Sequence, residues 1–211
     1  MLKNLTILLS KTIPIYFLCL GAQNLKANEI FQQGEHCLAY KTEEKILLFV
    51  ESDVIGKTCE ISARLETERE NTRYVVSFPI QSLDSGIDMR DEDIMRILSV
   101  DSHPNIRFVS DFVSTDQVLE ALIQGRTKLS GMLEVGGYSY KVIFPLEIFE
   151  QSGRLVVTGK LVTTLTEFGL ELPAILWGVI AETHDYLELL IHIQLDLVHG
   201  LAELQAQSKS Q

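Results

Sequence analysis

Short catalytic signatures are missing from this 211-residue chain. It has no Gly-x-Ser-x-Gly elbow, no His-Glu-x-x-His, no phosphate-binding glycine loop and no Cys-x-x-Cys. Its histidines, His36, His103, His184, His192 and His199, are scattered, and none has a partner at metal-ligand spacing. No metal site is therefore expected, and the histidines read as surface residues. Basic residues are scarce, 18 Lys and Arg against 29 Asp and Glu, for a net charge of -11. That balance repels nucleic acid and anionic surfaces and excludes a role in tracking phosphates. Internal repeats and linkers are also missing, so one domain is expected. Hydrophobic residues nevertheless make up 46% of the chain, which excludes a disordered composition.

The start of the chain reads as a secretory leader over residues 1–27. Lys3 and Lys11 flank an apolar start, Ile13 to Gly21 forms a short apolar core, and Leu25-Lys26-Ala27 offers a cleavage site. Pro14 and the short core argue against a spanning helix, which needs about 20 apolar residues, so no stable membrane insertion is expected. Cys19 follows Leu18 and not a small residue, which argues against a lipoprotein anchor. Losing three lysines and no acid takes the net charge from -11 to -14. The expected location is periplasmic or secreted. Only Cys37 and Cys59 then remain, and in an oxidising compartment they suggest one disulfide, the alternative being two separate buried thiols.

What fills the rest of the chain is alternation at period two. Tyr74, Val76, Phe78 and Ile80 share one face of a strand, and Ile106, Phe108, Ser110 and Phe112 share another. Leu129, Gly131, Leu133 and Val135 follow, then Tyr140, Val142, Phe144, Leu146 and Ile148, then Leu155, Val157, Leu161 and Leu165. The last run is Leu187, Leu189, Ile191, Ile193, Leu195 and Leu197. Ile46 to Val50 and Ile61 to Leu65 add two less regular runs, for about eight strands with one dry and one wet face. Gly136-Gly137 and Gln151-Ser152-Gly153 read as tight hairpins, so neighbouring strands pair antiparallel. Closing such a meander into a barrel removes its two bare edges, and a two-sheet sandwich is the architectural alternative. Asp88 to Leu98 breaks the rhythm and predicts one short helix, capped by Asp88, over one end of the barrel. The expected organisation is a barrel domain over residues 28–200 and a polar tail over 201–211.

Ser82-Leu83-Asp84-Ser85-Gly86-Ile87-Asp88-Met89-Arg90-Asp91-Glu92 resembles the YceI-like family, whose members carry Ser-x-Asp-Thr-Gly-x-x-x-Arg-Asp-Glu after a strand. His103-Pro104-Asn105-Ile106-Arg107-Phe108, Gly131-Met132-Leu133, Val142-Ile143-Phe144-Pro145-Leu146 and Thr166-Glu167-Phe168-Gly169-Leu170 follow in the family's order. The resemblance covers roughly residues 40–200 and implies an all-β, eight-stranded antiparallel lipocalin-like barrel with a helical cover. Some members of that family bind polyisoprenoids or isoprenoid quinones. The chain departs from the pattern at Asp93, where His is common, and at Glu44-Lys45, where a His-Ser pair is common. The resemblance also implies that two copies can pair as a homodimer.

The reading that follows is an exported, non-enzymatic carrier of a long apolar ligand, an isoprenoid lipid or quinone. The expected lining is Phe78, Phe108, Phe112, Tyr140, Val142, Phe144, Leu161, Phe168, Trp177, Leu189, Ile191 and Ile193. Arg90 and Asp91 are expected to hold a head group or to brace the fold. A neutral head is expected, because only Arg90, Arg96 and Arg107 offer positive charge nearby. Three alternatives stand beside these expectations. The inward rings fill the barrel, leaving a ligand-free exported stress or interaction protein. Asp88, Asp91, Glu92 and Asp93 serve a hydrolase or isomerase instead of a solvated helix start. Trp177, in the apolar stretch Leu170 to Ile180, is a lid over the mouth or an ordinary buried loop residue.

Overall fold

The computed structural model describes residues 30–46, 50–170, 175, 176 and 179–200. The expected leader, the polar tail and Trp177 lie outside the described residues. Eleven strands and two α-helices make up the rest: β1 (Cys37–Ile46), β2 (Val50–Thr58), β3 (Ser62–Glu68), β4 (Asn71–Pro79), α1 (Asp88–Ile97), β5 (Asn105–Ser110), β6 (Val113–Ser114), α2 (Thr115–Gln124), β7 (Arg126–Val135), β8 (Tyr138–Gln151), β9 (Arg154–Thr163), β10 (Ile175–Leu176) and β11 (Val179–Gln194). Nine strands form one curled antiparallel sheet in the order β2-β1-β11-β9-β8-β7-β5-β4-β3, with the short β10 and β6 pairing β11 and β4.

The expected all-β antiparallel architecture is present, with more parts than expected. The sheet has nine strands in place of eight, and a second helix, α2, accompanies α1. Of the strand expected over Ile46 to Val50, residues 47–49 lie outside the described residues, Ile46 ends β1 and Val50 begins β2. Their inner positions, Leu38, Tyr40 and Thr42 opposite Thr58, Gly56 and Val54, mix apolar, polar and glycine residues, which diluted the alternation. The sheet is also a half-barrel, since its edges β2 and β3 do not pair with each other. Each edge is instead tied at one point to a loop from the other side. Lys57 near the end of β2 bridges Asp84 after β4, and Arg64 in β3 bridges His199 after β11.

The hairpins lie where the glycines placed them. Gly136 and Gly137 both have positive φ, as do Ser152 and Gly153, the backbone that two-residue turns between twisted strands require. Helix α1 begins at Asp88, but Asp88 does not cap it. Ile87 occupies the cap position without a side-chain bond, and Asp84 and Asp91 instead accept from the backbone N–H groups of Gly86 and Ser85, at 2.7 and 3.0 Å. Ile80, Leu195 and Leu197 leave the expected strands for short 3-10 turns.

The outer wall is less wet than the alternation implied. Glu188, His192 and Gln194 of β11 are buried, correcting the expectation that His192 lies at the surface. Residues 30–36 cover this part of the wall. The Phe31 ring sits 5.5 Å from that of His192, whose Nδ1 donates to the Glu35 carbonyl at 2.8 Å. The Glu35 carboxylate pairs with Lys57 at 2.8 Å, and the Gln194 backbone N–H donates to His36 Nδ1 at 3.2 Å. Cys37 and Cys59 form a disulfide one rung beyond the Leu38–Thr58 pair, with Cα atoms 4.1 Å apart.

Two expected outcomes follow from this covered wall. Converting Cys37 and Cys59 to Ala, which opens a link spanning 22 residues, lowers the unfolding free energy in urea titration by about 3 kcal/mol. Burial holds the His36 imidazole below its ordinary pKa of 6.5; Asp196 opposes this and His192 reinforces it. The folded state thus favours neutral His36. Its contribution is present above 6.5 and is lost as pH falls through the unfolded and then the folded value. His36→Gln flattens stability against pH between about 7 and 5, measured in the same titration.

Candidate ligand cavity

The inner faces of the strands enclose one apolar cavity of about 600 Å³, inside the usual range for a small-molecule site, about 300–1,000 Å³. The register sets its walls. Val76, Phe108, Leu133 and Tyr140 form one continuous rung across β4, β5, β7 and β8. Thr127, Leu146, Gly159, Ile191, Leu38 and Thr58 form another, running from β7 round to β2. Opposed residues on a rung point to the same side of the sheet, so each rung lays a band of carbon round the interior.

Glycines let large side chains lie flat against this wall. A Cβ on Gly131 would stand 2.4 Å from the Val109 carbonyl oxygen and 2.7 Å from the Phe108 ring. One on Gly159 would meet Leu146 and Ile191 at 2.7 and 2.8 Å, and one on Gly56 would meet the Tyr40 ring at 2.2 Å. Phe108 therefore rests over its neighbour strand and meets Phe144 edge-to-face, with centroids 5.6 Å apart.

The helices stand at opposite ends of the cavity. Leu98, at the end of α1, and His103 lie against the Gly136-Gly137 turn that follows β7, while α2 runs through Gly125 into the start of β7. Ten residues of β7 separate them, roughly 30 Å of strand. Arg90, Asp93, Ile94 and Ile97 of α1 line one end, and Val118, Ala121 and Leu122 of α2 line the other. Tyr140 Oη donates to the Phe168 carbonyl at 2.6 Å, and the two rings meet edge-to-face. This pins the Thr166–Phe168 turn, and so Phe168, against the cavity at the α1 end.

Of the expected lining, Phe78, Phe108, Phe144, Phe168, Leu189, Ile191 and Ile193 border the cavity. Tyr140, Val142 and Leu161 belong to the packed core beside it. Phe112 is a correction. The strand ends at Ser110, the Asp111 N–H donates to Ser130 O at 2.8 Å, and Phe112 emerges 43% exposed with the Arg73 guanidinium over its ring. Asp91 braces the loop before α1 through the Ser85 N–H. Arg90 lines the cavity with Asp93, and Asp93 also bonds the exposed Arg96. Arg107 is held by Glu134 at 3.2 Å.

Leu38, Tyr40 and Val54, and the inward side of α2 with Val118, Ala121 and Leu122, are lining that the alternation did not reveal. A signal for α2 was present. Ser114 and Gln117 form a reciprocal capping box, and Gly125 ends the helix in the left-handed region. The one group of metal-ligating side chains that converges among the described residues is Glu35 with Cys37 and Cys59, and its two sulfurs are joined to each other. On the outer wall, burial pushes the Glu188 carboxyl up. Lys160 and the Tyr186 hydroxyl outweigh it and leave Glu188 below the usual carboxylate range.

A curled antiparallel half-barrel around an apolar hollow, with a helix at each end, defines the molecule as a lipocalin-like binding fold. The sequence model of the YceI-like domain matches residues 39–195, and the chain belongs to that family. Solved structures share the fold at low identity. The Burkholderia cenocepacia protein BcnA is 14% identical with a TM-score of 0.53, the match covering 74% of this chain and 94% of that one. The Campylobacter jejuni YceI protein is 16% identical, with a TM-score of 0.52 and coverage of 71% and 88%. A polyisoprenoid binding domain from Saccharophagus degradans, implicated in plant cell wall breakdown, is 13% identical, with a TM-score of 0.52 and coverage of 74% and 93%. No curated protein matches the sequence. No helix among the described residues is long and apolar enough to cross a membrane.

The tight seat of Phe108 is testable. Gly131→Ala drives a Cβ against the backbone oxygen of Val109, which cannot rotate away. A loss of about 1–3 kcal/mol in unfolding free energy is expected from thermal or urea melts.

Proposed function

We propose that this protein is an exported, non-enzymatic carrier that holds a long apolar molecule, an isoprenoid lipid or isoprenoid quinone, along its barrel. One observation carries the reading: the inward carbon bands surround a hollow of about 600 Å³ instead of meeting across it. Family membership and the likeness to a polyisoprenoid binding domain support the choice of guest. The Cys37–Cys59 disulfide supports an oxidising compartment.

Burying each five-carbon isoprene unit contributes on the order of 3–4 kcal/mol before ordering costs, so a few units suffice for tight binding. A neutral head group suits the site. Acids accompany two of its basic side chains: Arg64 pairs with Glu66 at 2.8 Å, and Asp93 lines the same end as Arg90, while Arg126 and Lys128 border the α2 end together with Glu120. A pyrophosphate would meet mixed charge there in a chain of net charge -11. Asp91 braces a loop and Asp93 lines the cavity, which leaves Asp88 and Glu92, both exposed, as a solvated helix start.

Native mass spectrometry of protein purified from its own compartment is the direct test. A co-purifying neutral isoprenoid is expected, and recovery of polyprenyl pyrophosphate alone would overturn the head-group assignment. Retinol, a fluorescent isoprenoid alcohol, serves as a probe in vitro. Ile191→Trp, which projects an indole into the hollow, weakens retinol binding by more than about tenfold while the far-ultraviolet dichroism is unchanged.

A further inference from the structure

Helix α2 wears its amphipathy inside out. No residue of the ten is buried. Gln117, Glu120 and Gln124 stand on the side that borders the cavity mouth, together with Val118, Ala121 and Leu122. At 100° per residue the opposite side carries Leu119 and Ile123, one turn apart. Those two do not border the cavity, and Ile123 is 86% exposed, the most exposed large apolar residue among those described. Leu122 belongs to both surfaces, lining the cavity and 39% exposed. Apolar surface therefore runs unbroken from the outside of α2 over Leu122 into the hollow. Phe112, just before β6 and α2, adds a further exposed ring at this end.

We propose that this face of α2 docks on an uncharged lipid bilayer and that the guest passes between bilayer and cavity beneath the helix. The proposal rests on the carrier reading above, because a guest this apolar has almost no free concentration in water and must be handed over at a lipid surface. Two features choose the bilayer over other partners. A helix with two outward apolar side chains covers far less than the roughly 1,200–2,000 Å² of a stable protein interface, which disfavours a second copy. The helix carries Asp116 and Glu120 and no base, and the two bases that follow it at the mouth, Arg126 and Lys128, are no more than these acids offset on a chain of net charge -11, so the surface is zwitterionic and not anionic. Such contact is brief, since interfacial helices that stay bound add many basic residues. A carrier needs that brevity to leave again.

The test uses full-length protein and phosphatidylcholine vesicles, comparing wild type with the double variant L119S/I123S. Both positions are exposed, so the variant keeps its fold, checked by its melting curve. Wild type is expected to float with the vesicles and to take up retinol at a rate that rises with vesicle concentration. The variant loses about tenfold in both readouts, with its equilibrium affinity for retinol within about twofold of wild type. Adding phosphatidylglycerol weakens flotation of the wild type. Equal flotation of the two proteins, no flotation of the wild type, or a wild-type dimer that the variant splits would each overturn the docking proposal. Failure of the wild type to hold retinol would instead count against the carrier reading, and flotation would still decide the role of α2.

Discussion

Nine strands, each greasy on one side, have to take that side out of water, and this chain does so by rolling the sheet around it. The rest of the architecture answers to that constraint. Curling brings inner side chains together, and a chain with bulk at every inner position would resist it. Gly56, Gly131 and Gly159 relieve the crowding by giving the Tyr40 ring, the Phe108 ring and the Leu146–Ile191 pair a flat place to lie. Because these side chains rest along the wall, the middle stays hollow. A packed interior would be the ordinary outcome for residues of this composition. The hollow depends on where small and large residues alternate along the rungs.

Rolling leaves two edges, which are a liability in any sheet. β2 and β3 do not join, yet each is held across the seam at one point. Lys57–Asp84 and Arg64–His199 stitch each edge to a loop that comes from across the seam. The disulfide fixes the open end of the β1–β2 hairpin, and the Glu35–Lys57 pair ties residues 30–36 to the same place. Those residues also explain why β11 carries His192 and Gln194 in buried positions, while Glu188 is covered by Lys160 and Tyr186. Each buried polar group has its partner: Lys160 and Tyr186 for Glu188, the Glu35 carbonyl for His192, and Arg154 for Gln194.

Much of this was legible in the residues themselves. The runs through Tyr74 to Phe78, Tyr140 to Ile148 and Leu187 to Ile193 declared their inner faces, since alternation reports directly on which side of a strand is dry. Gly136-Gly137 and Ser152-Gly153 declared their turns by the backbone angles they permit. Other features were hidden for specific reasons. β1 and β2 place Thr42, Gly56 and Thr58 on the inner face, so their pattern does not look apolar. Phe112 continues a period that the chain itself abandons at Ser110. His192 sits at an outward position, and only a segment 157 residues away in sequence makes that position dry. α2 was overlooked because its apolar residues match no single face turned to a core.

Periodicity and turn chemistry are local. They act between residues two to four apart, so the sequence alone determined the antiparallel strands, the hairpins, helix α1 and the apolar inner face. The hollow, the unpaired seam, the covering of His192 and the outward set of Leu119 and Ile123 are different in kind. Each depends on how far the sheet curls and on which distant strands share a rung. Those are long-range distances, and only the folded chain decided them.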